Sequence, residues 1–157
     1  MNFVPQLKAS ALAAMLAFAC AGSAVAAMDK AAMKAEKDRI ADQYKTAKAA
    51  CKDMKGNAKD VCMAQAMGAE KVAKADLEAR DKGTPKAQYD LSVAKADADY
   101  KVAKEKCDDL KGAAKRTCEK DAKAAHKSAK DTAKAEMKNT KAAAAPAGDK
   151  VTTAKTK

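Results

Sequence analysis

Two cysteine pairs constrain this chain more than any other feature. CKDMKGNAKDVC occupies residues 51–62 and CDDLKGAAKRTC occupies residues 107–118, each with ten residues between its cysteines and a glycine near the midpoint. A shift of 56 residues sets Tyr44 on Tyr100, Cys51 on Cys107, Gly56 on Gly112 and Cys62 on Cys118. Residues 41–80 then match residues 97–136 at 17 of 40 positions. Matches of Ala and Lys are uninformative in this composition, so the Tyr, Cys and Gly matches establish the repeat.

Each copy reads as two helices about a tight turn. Ile40, Tyr44, Ala47, Cys51 and Met54 recur at spacings of four and three, and so do Tyr89, Val93, Ala96, Tyr100, Ala103, Cys107 and Leu110. That period writes a narrow apolar seam along one helix face. Gly56 and Gly112 suit the left-handed conformation that ends a helix, and Asn57 with Asp60 resembles a capping box for the next one. Between the copies, Gly83-Thr84-Pro85 supplies a stop, an N-cap and a first-turn proline. Acid-before-base pairs four apart (Glu70–Lys74, Asp76–Arg80, Glu78–Lys82, Asp97–Lys101, Glu119–Lys123) favour helix over coil. The predicted fold is all-α, two tandem antiparallel helical hairpins spanning residues 28–83 and 84–141. They form either an up-down-up-down four-helix arrangement or two separate slender hairpins, followed by a flexible basic tail over residues 142–157.

Cysteines five residues on either side of a hairpin turn face each other, and the short side chains of an Ala-rich seam permit the close approach a disulfide needs. Four cysteines allow three pairings. A clip internal to the unit survives duplication unchanged, which favours Cys51–Cys62 with Cys107–Cys118 and predicts two bridges that act independently. The ten-residue spacing fits neither a CxxC metal knuckle nor a CxxC redox pair, so no metal ligands are expected.

Residues 1–27 read as a secretory signal peptide: Lys8 supplies the charge, residues 11–19 form an apolar run too short to span a bilayer, and small residues follow. Cleavage is expected after Ala26 or Ala27, leaving a periplasmic chain. The alternative is a lipoprotein acylated at Cys20, although Ala17 stands where a lipobox prefers leucine. Cleavage after Ala26 or Ala27 removes Cys20 and leaves an even set of four cysteines in an oxidising compartment. The mature chain would carry 31 Lys and Arg against 21 Asp and Glu, a net +10, and only 17 of the 114 residues from Met28 to Lys141 are Met, Ile, Leu, Val or Tyr. Such a chain buries a small core and leans on covalent staples.

Neither an enzyme site nor a cofactor is expected. His126 is the only histidine; its counterpart is Glu70, which predicts a solvent-facing position without nucleophile or acid partners. Met63 and Met67 lie one helical turn apart and have the softness to hold Cu(I), but their counterparts are Glu119 and Lys123, so packing is the expected role. The positive charge is interspersed with acids and lacks aromatic residues to stack on bases. It suits an anionic envelope surface, or a partner helix, better than nucleic acid.

The stretches YKTAKAACKDMKGNAKDVC and YKVAKEKCDDLKGAAKRTC resemble a group of secreted proteobacterial Ala/Lys-rich proteins that carry duplicated Tyr-Lys-x-Ala-Lys and Cys-x10-Cys motifs, some of them labelled TolA-like by composition. The likeness covers most of residues 36–136, with Met54 where the group usually has leucine. More loosely, the chain resembles late-embryogenesis-abundant stress proteins in its long helices of Ala, Lys, Asp and Thr. The resemblance brings no catalytic residue. The expected function is therefore a non-enzymatic periplasmic role, structural or stress-protective. The alternatives are a binding module for anionic surfaces or a partner helix and, further off, a metal or redox carrier.

Overall fold

The computed structural model describes residues 28–144. The expected signal peptide, its cleavage site, Cys20 and residues 145–157 lie outside the described residues. Four helices follow one another: α1 (Lys30–Ala50), α2 (Gly56–Lys82), α3 (Pro85–Cys107) and α4 (Gly112–Ala144). The all-α, twice-written hairpin is thus the observed fold. α4 continues three residues into the segment expected as tail, because nothing in KAAA interrupts it.

The helix ends follow local chemistry, with one exception. Asp29 caps α1 by accepting from the Ala32 N–H at 2.7 Å, and Thr84 caps α3 by accepting from the Ala87 N–H at 3.1 Å, with Pro85 next to it. Gly83 closes α2 at φ 59°, while Gly56 and Gly112 open α2 and α4 at φ 57°. All three glycines hold a conformation that a side chain would strain. The exception is Asn57. The residue that flanks α2 on its N-terminal side is Lys55, which makes no side-chain cap bond. Asn57 Nδ2 instead donates to the Glu105 carbonyl near the end of α3, so its amide ties the two hairpins together.

The helices form an open row. α1 packs on α2, α2 on α3 and α3 on α4, and no other pair of these helices comes into contact. The two hairpins are therefore joined side by side rather than closed into a bundle, and the α2–α3 interface is the most extensive of the three. The two helices come close at Gly68, where an added Cβ would lie 2.9 Å from Ala98 Cβ. A methyl on α3 meets bare backbone on α2 there, and any larger residue forces the helices apart. Ala79, Ala87 and Leu91 form the core beside it, with Val72 and Ala75 packed against them.

The predicted seam is right along the helices and wrong at their ends. Ile40, Cys51, Ala96 and Cys107 are buried, and Tyr44, Tyr89, Val93 and Tyr100 are half-buried. Met54 and Leu110 are not seam residues: they stand 42% and 40% exposed. α1 stops at Ala50 and α3 at Cys107, so both side chains fall in the turns that follow. There their amides close short loops onto the Cys51 and Cys107 carbonyls at 3.2 and 3.0 Å.

Candidate functional site

Two structural sites repeat. Cys51–Cys62 joins α1 to α2 across Cα atoms 5.7 Å apart, and Cys107–Cys118 joins α3 to α4 across 5.6 Å. Both spans lie inside the disulfide range and well below ordinary helix separation, as small seam residues allow. Cys51 and Cys107 are fully buried, so one sulfur of each bridge also fills the core. The Asn57–Glu105 bond places both clipped turns at the same end of the row. That bond couples the two clipped turns, so the bridges are expected to act less independently than the duplication predicts.

Opposite charges stitch the outer helices to the inner pair. Glu36 on α1 accepts from Arg39 Nε at 2.9 Å and faces Arg80 of α2 at 3.3 Å. Hydrogen bonding from Arg39 first, and then from Arg80, holds its carboxyl down at about 2 from an ordinary 4.5. A carboxylate depressed in the folded state contributes stability above its unfolded value, and that contribution is lost as pH falls from about 4.5 to about 2. Acid titration of the melting temperature should therefore show a decline across that window. Glu36→Gln should flatten part of it; an identical profile for the variant would remove Glu36 from the account.

On the far side, Asp97 of α3 does not pair with Lys101. It reaches across to His126 and to Lys130 of α4, the latter at 3.7 Å. His126 is not solvent-facing as its counterpart suggested. Its side chain is only 21% exposed and stacks on Tyr100, with ring centroids 4.7 Å apart and planes 15° from parallel. The arrangement is a polar rivet between α3 and α4. Glu119 likewise leans back towards Lys115 at 3.9 Å rather than pairing with Lys123. The other three predicted pairs form, at 2.6 Å for Glu70–Lys74, 2.9 Å for Asp76–Arg80 and 2.8 Å for Glu78–Lys82.

Met63 and Met67 are both half-buried on α2. Among the described residues, no group of three or more His, Cys, Asp or Glu is placed to hold a metal ion, and no helix is long and apolar enough to cross a membrane. The sequence reading missed Gly68 and Leu91, which belong to the α2–α3 contact and the core there, and Leu77, which is buried on α2. Their signal was present, since Leu77 and Leu91 are two of the three leucines after residue 27. Comparison with known protein families, with curated proteins and with solved structures found no match.

Proposed function

We propose that this is a non-enzymatic helical protein exported to the periplasm, where it has a structural or stress-protective role in the cell envelope. The observation that carries the reading is the covalent clip made twice, each bridge closing its own hairpin over a core composed largely of alanine. Such a fold depends on an oxidising compartment to persist. The helix start is compatible with the expected processing. Asp29 caps α1 just beyond the cut, and the Met28 amide nitrogen lies 3.2 Å from Asp81 Oδ1. Cleavage after Ala27 would turn that nitrogen into an ammonium beside a carboxylate. The likeness to secreted proteobacterial Ala/Lys-rich proteins points the same way.

The test is a deletion strain complemented with the wild type or with a variant lacking all four bridging cysteines. Deletion should increase leakage of a periplasmic reporter after osmotic downshift, and only the disulfide-bonded protein, recovered from the periplasm with Ala27 or Met28 at its start, should restore it. A full-length chain with free thiols in the cytoplasm would defeat the reading. A mature chain acylated at Cys20 in the membrane fraction would replace it with the lipoprotein alternative. A second reading, a module for anionic envelope surfaces, is favoured by the charge carried on α4, which has nine Lys and Arg against four Asp and Glu.

A further inference from the structure

The cations of α4 are arranged, not merely numerous. Lys120, Lys123, Lys127, Lys130, Lys134 and Lys138 recur at spacings of three, four, three, four and four. At 3.6 residues per turn they fall within an arc of about 80°. Arg116 and Lys141 extend the same row by one step at each end, giving a line of about 38 Å with one cation roughly every 5 Å. All of these side chains are exposed except Lys130, which is half-buried. Two carboxylates reach the row: Asp131 pairs with Lys127 at 2.6 Å, and Asp97 approaches Lys130 at 3.7 Å. Among the described residues, Lys120, Lys123, Lys134 and Lys138 have no ion-pair partner.

The first unit carries only a broken version of this row: Lys71, Lys74 and Lys82 match Lys127, Lys130 and Lys138, but Glu78 is the counterpart of Lys134. The counterpart of Lys120 is Ala64, which is 1% exposed, and that of Lys123 is the half-buried Met67. α2 is sandwiched between α1 and α3 and uses that surface for packing, whereas α4 stands at the edge of the row of helices. The second copy therefore completes the row, with Lys120 and Lys123 where the first copy has Ala64 and Met67 and Lys134 where it has Glu78, along a largely exposed face of an edge helix.

We propose that this face docks the protein onto the surface of an anionic phospholipid bilayer, an assignment that rests on the anionic-surface reading above. An unbroken helix at the edge of the molecule presents its charges in a straight line, which a flat array of headgroup phosphates can meet along its whole length. α4 contains no Phe, Tyr or Trp, so it has neither a platform for stacking on bases nor an anchor for the acyl layer. The contact is electrostatic, lies at the headgroup level and is weakened by salt.

The experiment is cosedimentation of the oxidised protein with phosphatidylglycerol-containing vesicles, with neutral phosphatidylcholine vesicles and, as a competitor, with duplex DNA, at low and at high salt. The wild type should bind only the anionic vesicles, and release at high salt. Neutralising Lys120, Lys123, Lys134 and Lys138 to Gln should weaken that binding at least about a hundredfold. Neutralising the exposed Lys48, Lys52, Lys71 and Lys101 to Gln removes the same charge from α1, its turn, α2 and α3, and should change binding only a few-fold. Circular dichroism of both variants confirms that they remain helical. Equal losses in the two variants would show a response to net charge alone and overturn the assignment to α4 while leaving the anionic-surface reading standing. No binding of the wild type to anionic vesicles would overturn both. Preferential capture by DNA at a salt concentration that releases the vesicles would overturn the lipid assignment.

Discussion

Full reduction of the oxidised protein is expected to lower its melting temperature by about 20 °C or to unfold it outright. Each bridge closes a loop between cysteines 11 positions apart, and restricting the unfolded chain to that extent contributes about 3 kcal/mol. In a domain of this size that is roughly 12 °C per bridge. The pairwise substitutions Cys51→Ser with Cys62→Ser, and Cys107→Ser with Cys118→Ser, should each cost somewhat more than half of the combined loss. The reason is the Asn57–Glu105 bond between the two clipped turns. Loosening either turn forfeits it, so it is lost once and not twice, and neighbouring sites are where additivity fails. Thermal melts followed by circular dichroism, with and without reductant, measure all four states. A reduced protein melting within a few degrees of the oxidised one would show that the bridges are incidental to the fold.

Leu77→Ala should be the most damaging single substitution outside the cysteines, costing about 2–5 kcal/mol. Leu77 is 1% exposed on α2, the helix flanked on both sides, and with Ile40 it is the largest fully buried side chain of the protein. Its neighbours are held by helix backbones and clips that limit collapse into the space left behind. Leu110→Ala is the matched control. It removes the same atoms from a turn where the side chain is 40% exposed and should shift stability by no more than about 0.5 kcal/mol. Comparable losses in the two variants would mean that the core does not lie where these burials place it.

The contrast between Leu77 and Leu110 also shows how far the fold could be read from residues alone. Helices, turns and cysteine partners were legible because each rests on local chemistry: a glycine at positive φ, a threonine cap before proline, and a pairing repeated by duplication. The seam was legible at Ile40 and Cys107, where the three-four period runs within a helix. It failed at Met54 and Leu110, because periodicity carries no information on where the helix stops, and the turn ends it one step earlier. The α2–α3 interface was not legible. A duplicated sequence shows what each unit does within itself, whereas Gly68 against Ala98 and Asn57 against Glu105 join one unit to the other. Duplication even misleads there, since Gly68 has Ala124 as its counterpart and Asn57 has Ala113. The placement of His126 failed for the same reason: its position was inferred from Glu70, but the partner that buries it is Tyr100 on the neighbouring helix. The α4 cation row is plain in the sequence as spacing. It became meaningful only once α4 proved to be an edge helix.

The central claim is that each cysteine pair clips its own hairpin. Tryptic mapping of the unreduced protein tests it directly, because Lys52 and Lys59 separate Cys51 from Cys62, and Lys111 and Arg116 separate Cys107 from Cys118. The account predicts two linked species, one joining residues 49–52 to 60–71 and the other joining residues 107–111 to 117–120. A peptide linking Cys51 or Cys62 to Cys107 or Cys118, or a bridge between two chains, would contradict it.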